Sequence, residues 1–107
     1  MAKMHLPELC RRIGELNERH FQGNLNRVRL KLNLSNWGSC SARGNINIST
    51  RVLFAAEAVI DYVCIHELAH LIEWYHSRRF WDLVGGAMPD YRECRKWLRE
   101  NDAACRF

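Results

Sequence analysis

Across residues 6 to 21, Leu6, Leu9, Ile13 and Leu16 recur at helical spacing among arginines and glutamates. This predicts an amphipathic helix with Pro7 in its first turn and Gly23-Asn24 just past its end. The period then changes. Val28, Leu30, Leu32 and Leu34 alternate with Arg27, Arg29, Lys31 and Asn33, which predicts a strand with one apolar and one basic face. A second short strand is expected over residues 37 to 40, followed by the turn Ser41-Ala42-Arg43-Gly44 and a third strand in the alternating Asn45-Ile46-Asn47-Ile48-Ser49. Together these predict a small antiparallel sheet. Helical spacing returns over residues 55 to 73, and Ser77 and Asp90 mark the starts of two more helices, with Gly85-Gly86 and Pro89 between them. The fold class is therefore α+β, in one domain spanning residues 1 to 107.

Composition narrows the function classes only slightly. Hydrophobic residues at 48% and charged ones at 26% exclude a disordered chain. The apolar stretches Val52 to Ala56 and Ala58 to Ile60 are cut by Glu57 and Asp61, far short of the roughly 20 residues of a membrane span. His5, Pro7 and Glu8 interrupt the N-terminus before any secretory apolar run, so a cytoplasmic location is expected; separately, the chain is expected to be a monomer. The five cysteines contain no CxxC pair and read as reduced, mostly buried thiols.

Charge is segmented along the chain. Residues 1 to 53 hold nine Lys/Arg against three acids, residues 54 to 74 hold four acids and no base, and residues 75 to 107 hold seven bases against five acids. Acids in the middle segment suit a bound cation, and bases in the flanks suit an anionic partner; a solvated surface would explain both.

The chemistry is concentrated in Val63-Cys64-Ile65-His66-Glu67-Leu68-Ala69-His70. At about 100° per residue His66 and His70 lie about 40° apart and one turn along, so both imidazoles can reach one metal ion. Glu67 sits between them in height and about 100° round, placed to act on a water without being a ligand. Cys64, Ile65, Leu68, Leu71 and Ile72 form the stripe expected to pack on the sheet. The HExxH spacing is a zinc signature. His76 follows His70 by six residues, and on a continued helix it would point away from that ion. A chain that turns before a helix capped by Ser77 leaves His76 in the connection, where it is the expected third ligand, the alternative being a histidine that only flanks a helix start. Glu93 is the reserve ligand.

The blocks Trp37-Gly38-Ser39-Cys40-Ser41, Gly44-Asn45-Ile46-Asn47, Val59-Ile60-Asp61-Tyr62-Val63, His66-Glu67-Leu68-Ala69-His70-Leu71, His76-Ser77, Phe80-Trp81 and Pro89-Asp90-Tyr91, in this order over roughly residues 25 to 100, resemble the YgjP-like metallopeptidase domain, a relative of the SprT-like and WLM zincins. The sequence departs from the usual pattern in a shorter N-terminal portion, in Asn36 where a basic residue is frequent, and in Tyr75 where Asn is frequent. The resemblance implies a zincin-like fold with a small antiparallel sheet on the HExxH helix. It also implies Zn2+ on His66, His70 and His76, and Glu67 as general base toward a peptide or protein substrate.

Further candidates follow from position. Tyr91 is a candidate for oxyanion support. Asn45 and Asn47 share the polar face of a strand that can pair with an extended peptide, and with Arg51 they are the candidate substrate contacts. Arg27, Arg29 and Lys31 point the same way and can track phosphates of a nucleic acid or nucleotide, or guard a sheet edge. Cys40 reads as a small buried residue, and Trp37, Trp74, Trp81 and Trp97 as packing. Three function classes stay open: a zinc peptidase, a metal-dependent phosphoanhydride hydrolase, and a metal-stabilised nucleic-acid or protein-binding module.

Overall fold

A computed structural model describes residues 5 to 32 and 36 to 101. Helix α1 (Leu6–Leu16) carries Pro7 in its first turn and buries Leu9 and Ile13 completely. The predicted helical stretch to Phe21 is present, but its last five residues, Asn17–Phe21, widen into a π-helical turn. The reason is local. Gln22 adopts a left-handed conformation (φ 52°) and donates its N–H to the Asn17 carbonyl, while the Asn17 side chain brackets Gly23, accepting from its N–H at 2.9 Å and donating to its carbonyl at 3.0 Å. The orphan groups at the helix end are thereby paired.

Three strands follow: β1 (Arg27–Lys31), β2 (Gly38–Cys40) and β3 (Asn45–Ser49). Leu34, the last apolar position of the expected first strand, lies outside the described residues, and Leu32 is exposed beyond the end of β1. The sheet order is β1-β3-β2, with β3 antiparallel to β2 but parallel to β1. The expected all-antiparallel sheet is thus mixed. The tight turn at Ser41 to Gly44 lays β2 along one side of β3, which leaves β1 the opposite edge. Alternation specifies which face of a strand is apolar and not which neighbour it pairs with. The same topology places residues 45 to 49 in the centre of the sheet, so the expectation that this strand receives a substrate is corrected: both its sides are already paired. Ile46 and Ile48 are fully buried, each worth about 1.5–3 kcal/mol of burial. Arg27, Arg29 and Lys31 are exposed on edge strand β1, where charge deters edge-to-edge pairing.

A short 3-10 turn, Thr50–Phe54, sets Val52 and Leu53 into the core and leads to α2 (Glu57–Ala69). This helix is shorter than the expected 55 to 73, because Leu71 and Ile72 bond back to Leu68 and Ala69 in tightening turns. It is also buried on nearly every side. Val59, Ile60, Tyr62 and Val63 are as inaccessible as Cys64, Ile65 and Leu68, whereas Ile72, expected in the core stripe, lies past the helix end and is 36% exposed. The helix packs against α1, β2, β3 and the two helices that follow, α3 (Arg78–Ala87) and α4 (Tyr91–Asn101). Gly85 and Gly86 do not separate those two helices as expected. They continue α3, which ends where Met88 N–H reaches the Val84 carbonyl ahead of Pro89.

The acidic middle segment divides on inspection. Asp61 pairs with Arg12 of α1 at 2.7 Å and Glu73 faces Arg79 at 3.8 Å, which leaves Glu67 as the buried acid of the group. Of the cysteines among the described residues, Cys64 and Cys94 are buried, Cys10 and Cys40 half-buried, and all four are free thiols. Trp37 is buried and Trp81 packs on the core, whereas Trp74 and Trp97 are 49% and 37% exposed. No helix among the described residues is long and apolar enough to cross a membrane.

Two glycines separate backbone necessity from tolerance. Gly44 has φ 83°, and a Cβ there would collide with the Asn24 carbonyl oxygen, whereas a Cβ on Gly14, inside α1, meets nothing within 4 Å. Gly44→Ala should therefore lower unfolding free energy by about 2 kcal/mol or more, and Gly14→Ala should raise it by about 0.5–1 kcal/mol. Urea denaturation followed by circular dichroism checks both signs.

Candidate metal centre

The site begins in the last turn of α2. His66 is 1% exposed and Glu67 2%, both carried by a helix that has almost no solvent face. His70 caps the helix C-terminus, and the chain then turns through residues 71 to 75 before Ser77 accepts the Phe80 N–H and starts α3. His76 therefore stands in the connection, as its spacing predicted, and folds back until its Nε2 lies 3.0 Å from His70 Nε2. One potential ligand atom from each of His66, His70 and His76 lies within 4.8 Å of the others. Glu93, the reserve ligand, is exposed on α4 and outside this cluster.

Aromatic packing holds the three rings. Phe80, fully buried in α3, has its ring centre 5.0, 4.5 and 4.9 Å from those of His66, His70 and His76. Trp81 stands 5.9 Å from both His66 and His76. His70 Nδ1 lies 3.3 Å from the Glu73 carbonyl oxygen. An N–H there fixes the tautomer and turns the Nε2 lone pair toward His76.

Electrostatics favour neutral imidazoles. Burial drives the His66 pKa down to about 3, helped by the Arg95 charge. Burial is also the leading cause of the lowered pKa of His70 and His76, to which the neighbouring histidines add. Burial has the opposite effect on Glu67, raising its carboxyl to about 8 against a smaller opposing contribution from His70. Its Oε2 is 3.4 Å from His66 Nδ1. Lone pairs free of protons are what a cation needs. Two imidazole nitrogens on one tetrahedral ion would be about 3.3 Å apart, close to the His70–His76 separation. The donor set therefore fits a divalent metal ion.

Above the cluster opens a cleft of about 460 Å³, walled by Asn36, Gly38, Ser39 and Cys40 on one side and by His66, Glu67, His70, Trp74 and His76 on the other. Edge strand β2 comes very close to the acid, since a Cβ on Gly38 would lie 3.2 Å from Glu67 Oε2 and 3.1 Å from the Asn47 carbonyl. Nothing in the spacing of the sequence marks Gly38 or the aromatic floor of Phe80 as part of the site. Their only signal was membership in the blocks that carry the family resemblance.

Other expected site residues lie elsewhere. Tyr91 is stacked between Tyr62 and Trp81, with ring centres at 6.4 and 5.5 Å, and borders a neighbouring pocket rather than the cleft. Asn45 bonds Asn26 at 2.9 Å, Asn47 bonds Ser39 at 3.3 Å, and Arg51 lies over the Trp37 ring at 4.3 Å, so none of the three lines the cleft.

Among solved structures, the metallopeptidase zymogen of Pyrococcus abyssi abylysin shares this fold with a TM-score of 0.78 at 24% identity, over 87% of this chain and 93% of that one. The metallopeptidase zymogen of Methanocaldococcus jannaschii jannalysin matches at a TM-score of 0.73 and 15% identity, over 87% and 95% of the two chains. None of the curated proteins matches the chain significantly. The model of the YgjP-like metallopeptidase domain matches residues 1 to 101. With its zincin-like α+β fold and a histidine triad that can hold a metal, the chain belongs to the YgjP-like metallopeptidase family.

Proposed function

We propose that the chain is a zinc-dependent peptidase in which His66, His70 and His76 hold the metal and Glu67 is the general base. The observation that carries this reading is the convergence of three imidazoles beside a buried carboxylate at the floor of an open cleft. Zinc suits a site of three neutral nitrogens better than calcium or magnesium, which favour oxygen. When bound, it supplies Lewis acidity that polarises a carbonyl and eases removal of a proton from water.

The protein side chains do the rest. Glu67 accepts the proton of the attacking water and returns it to the leaving nitrogen. Burial raises the pKa of this carboxyl, and a cation held by the three histidines would offset that effect. Strand β2 is an edge of the sheet, paired on one side with β3 among the described residues, and it walls the cleft. An extended peptide can add to it by backbone hydrogen bonds and lie across the histidines. Among the described residues no Lys or Arg lines the cleft, which favours a neutral amide over a phosphoanhydride at the reacting position.

Protein purified without chelator should contain close to one zinc per chain by elemental analysis, and His66→Ala or His70→Ala should abolish it. In a competition titration with a chelator, His76→Ala should weaken zinc by orders of magnitude while Glu93→Gln leaves it unchanged. Equal effects of the two would reject His76 as the third ligand.

Glu67→Gln preserves size and removes the base. Its zinc content and thermal midpoint should stay near those of the parent, while turnover of a peptide substrate drops by about 10² to 10⁴. Lost zinc or lost folding in this variant would show that Glu67 has a structural role instead.

A further inference from the structure

Across Trp81 from the histidines lies a second and larger pocket, of about 710 Å³, walled by Arg78 of α3 and by Arg92 and Arg95 of α4, with Asp82 as its one carboxylate among the described residues. Arg92 and Arg95 are one helical turn apart and so share a face of α4. Each guanidinium rests on an aromatic ring, Arg95 4.5 Å from the centre of Trp81 and Arg92 5.0 Å from that of Tyr91. Trp81 and Tyr91 are themselves stacked at 5.5 Å. Stacking restricts the forks before any ligand arrives, which lowers the entropy lost when an oxyanion is gripped.

The position of the pocket narrows its occupant. Trp81 forms its wall, and its ring centre also lies 5.9 Å from those of His66 and His76. Since an extended peptide advances about 3.4 Å per residue, a chain crossing the metal centre reaches the arginines within a few residues. Three cations against one acid favour an anion, and the planar guanidinium fork matches a carboxylate bidentately. We propose that this pocket binds a carboxylate of the peptide substrate, from an acidic side chain or from the C-terminus, and thereby sets specificity a few residues from the cleaved bond. The proposal rests on the peptidase reading.

The test uses zinc-loaded Glu67→Gln protein, which should hold peptides without cutting them, in isothermal titration calorimetry. The probes are acetylated, amidated hexapeptides with a single Glu or Gln moved through each position, together with Gln peptides that end in a free carboxylate. A Glu peptide or a free-acid peptide should bind about tenfold tighter than its amide counterpart or more. The gain should vanish when Arg92→Gln and Arg95→Gln are added. Arg78→Gln and Arg92→Gln, both exposed, carry the test if the Arg95 variant fails to fold. Which peptide series shows the gain tells a side-chain carboxylate from a terminal one.

Equal affinity for acid and amide peptides, no binding of either, or a gain indifferent to the arginines would overturn the proposal. Inorganic phosphate binding more tightly than any acidic peptide, and depending on the same arginines, would overturn the assignment to a carboxylate. Incubating the same peptides with the zinc-loaded parent separates the two readings: arginine-dependent binding without cleavage defeats the peptidase reading alone, and cleavage without preference for an acid defeats the pocket alone.

Discussion

A carboxylate and an imidazole buried side by side cost several kcal/mol unless their charges are suppressed or matched. His66 and Glu67 occupy that situation at 1% and 2% exposure. Burial is the main force that suppresses both charges, with the Arg95 charge adding to it at the imidazole, so that the imidazole titrates near 3 and the carboxyl near 8. The folded chain can therefore hold a neutral donor set and an uncharged acid at neutral pH, and a bound cation would shift the balance back toward the carboxylate. The rest of the fold serves this arrangement. Helix α2 is surrounded by α1, α3, α4 and the sheet, so its last turn cannot rotate into water, and Phe80 lies against all three rings.

The cleft exists because burial stops abruptly at the end of α2. Exposure rises from His66 through half-buried His70 to exposed His76, so the cluster has a closed side against the core and an open side toward solvent. A catalytic metal site needs that asymmetry, whereas a structural site tends to be closed by a fourth protein ligand. Gly38 contributes from the other wall. Without a side chain it lets edge strand β2 approach Glu67 to a distance that a Cβ would crowd, which brings a row of backbone groups within reach of a peptide lying over the base.

Local features of the site were legible in the sequence and non-local ones were not. The i, i+4 spacing of His66 and His70 follows from helical geometry alone, and the Ser77 cap was enough to place His76 in a connection, because both signals span only a few residues. The parallel pairing of β1 with β3 was not legible, since alternation in Arg27–Lys31 reports faces and is silent about partners. The consequence reaches function: alternation alone makes residues 45 to 49 look like a substrate-binding edge, whereas β3 is central and the edge beside the cleft is β2. Tyr91 was displaced for a similar reason. Its position after Pro89-Asp90 placed it correctly at a helix start, but its stacking between Tyr62 and Trp81 depends on contacts from two other helices.

The central claim, that three histidine nitrogens converge on one ion beside an uncoordinated glutamate, is tested most directly by X-ray absorption at the zinc edge of the loaded protein. Cys40 makes the test discriminating, because its thiol lines the same cleft and burial raises its pKa to about 12, which disfavours the thiolate that zinc would require. The account predicts a shell of light donors at about 2.0–2.1 Å, with outer scattering from three imidazole rings and no sulfur. A sulfur shell at about 2.3 Å, or scattering from fewer than three rings, would contradict it.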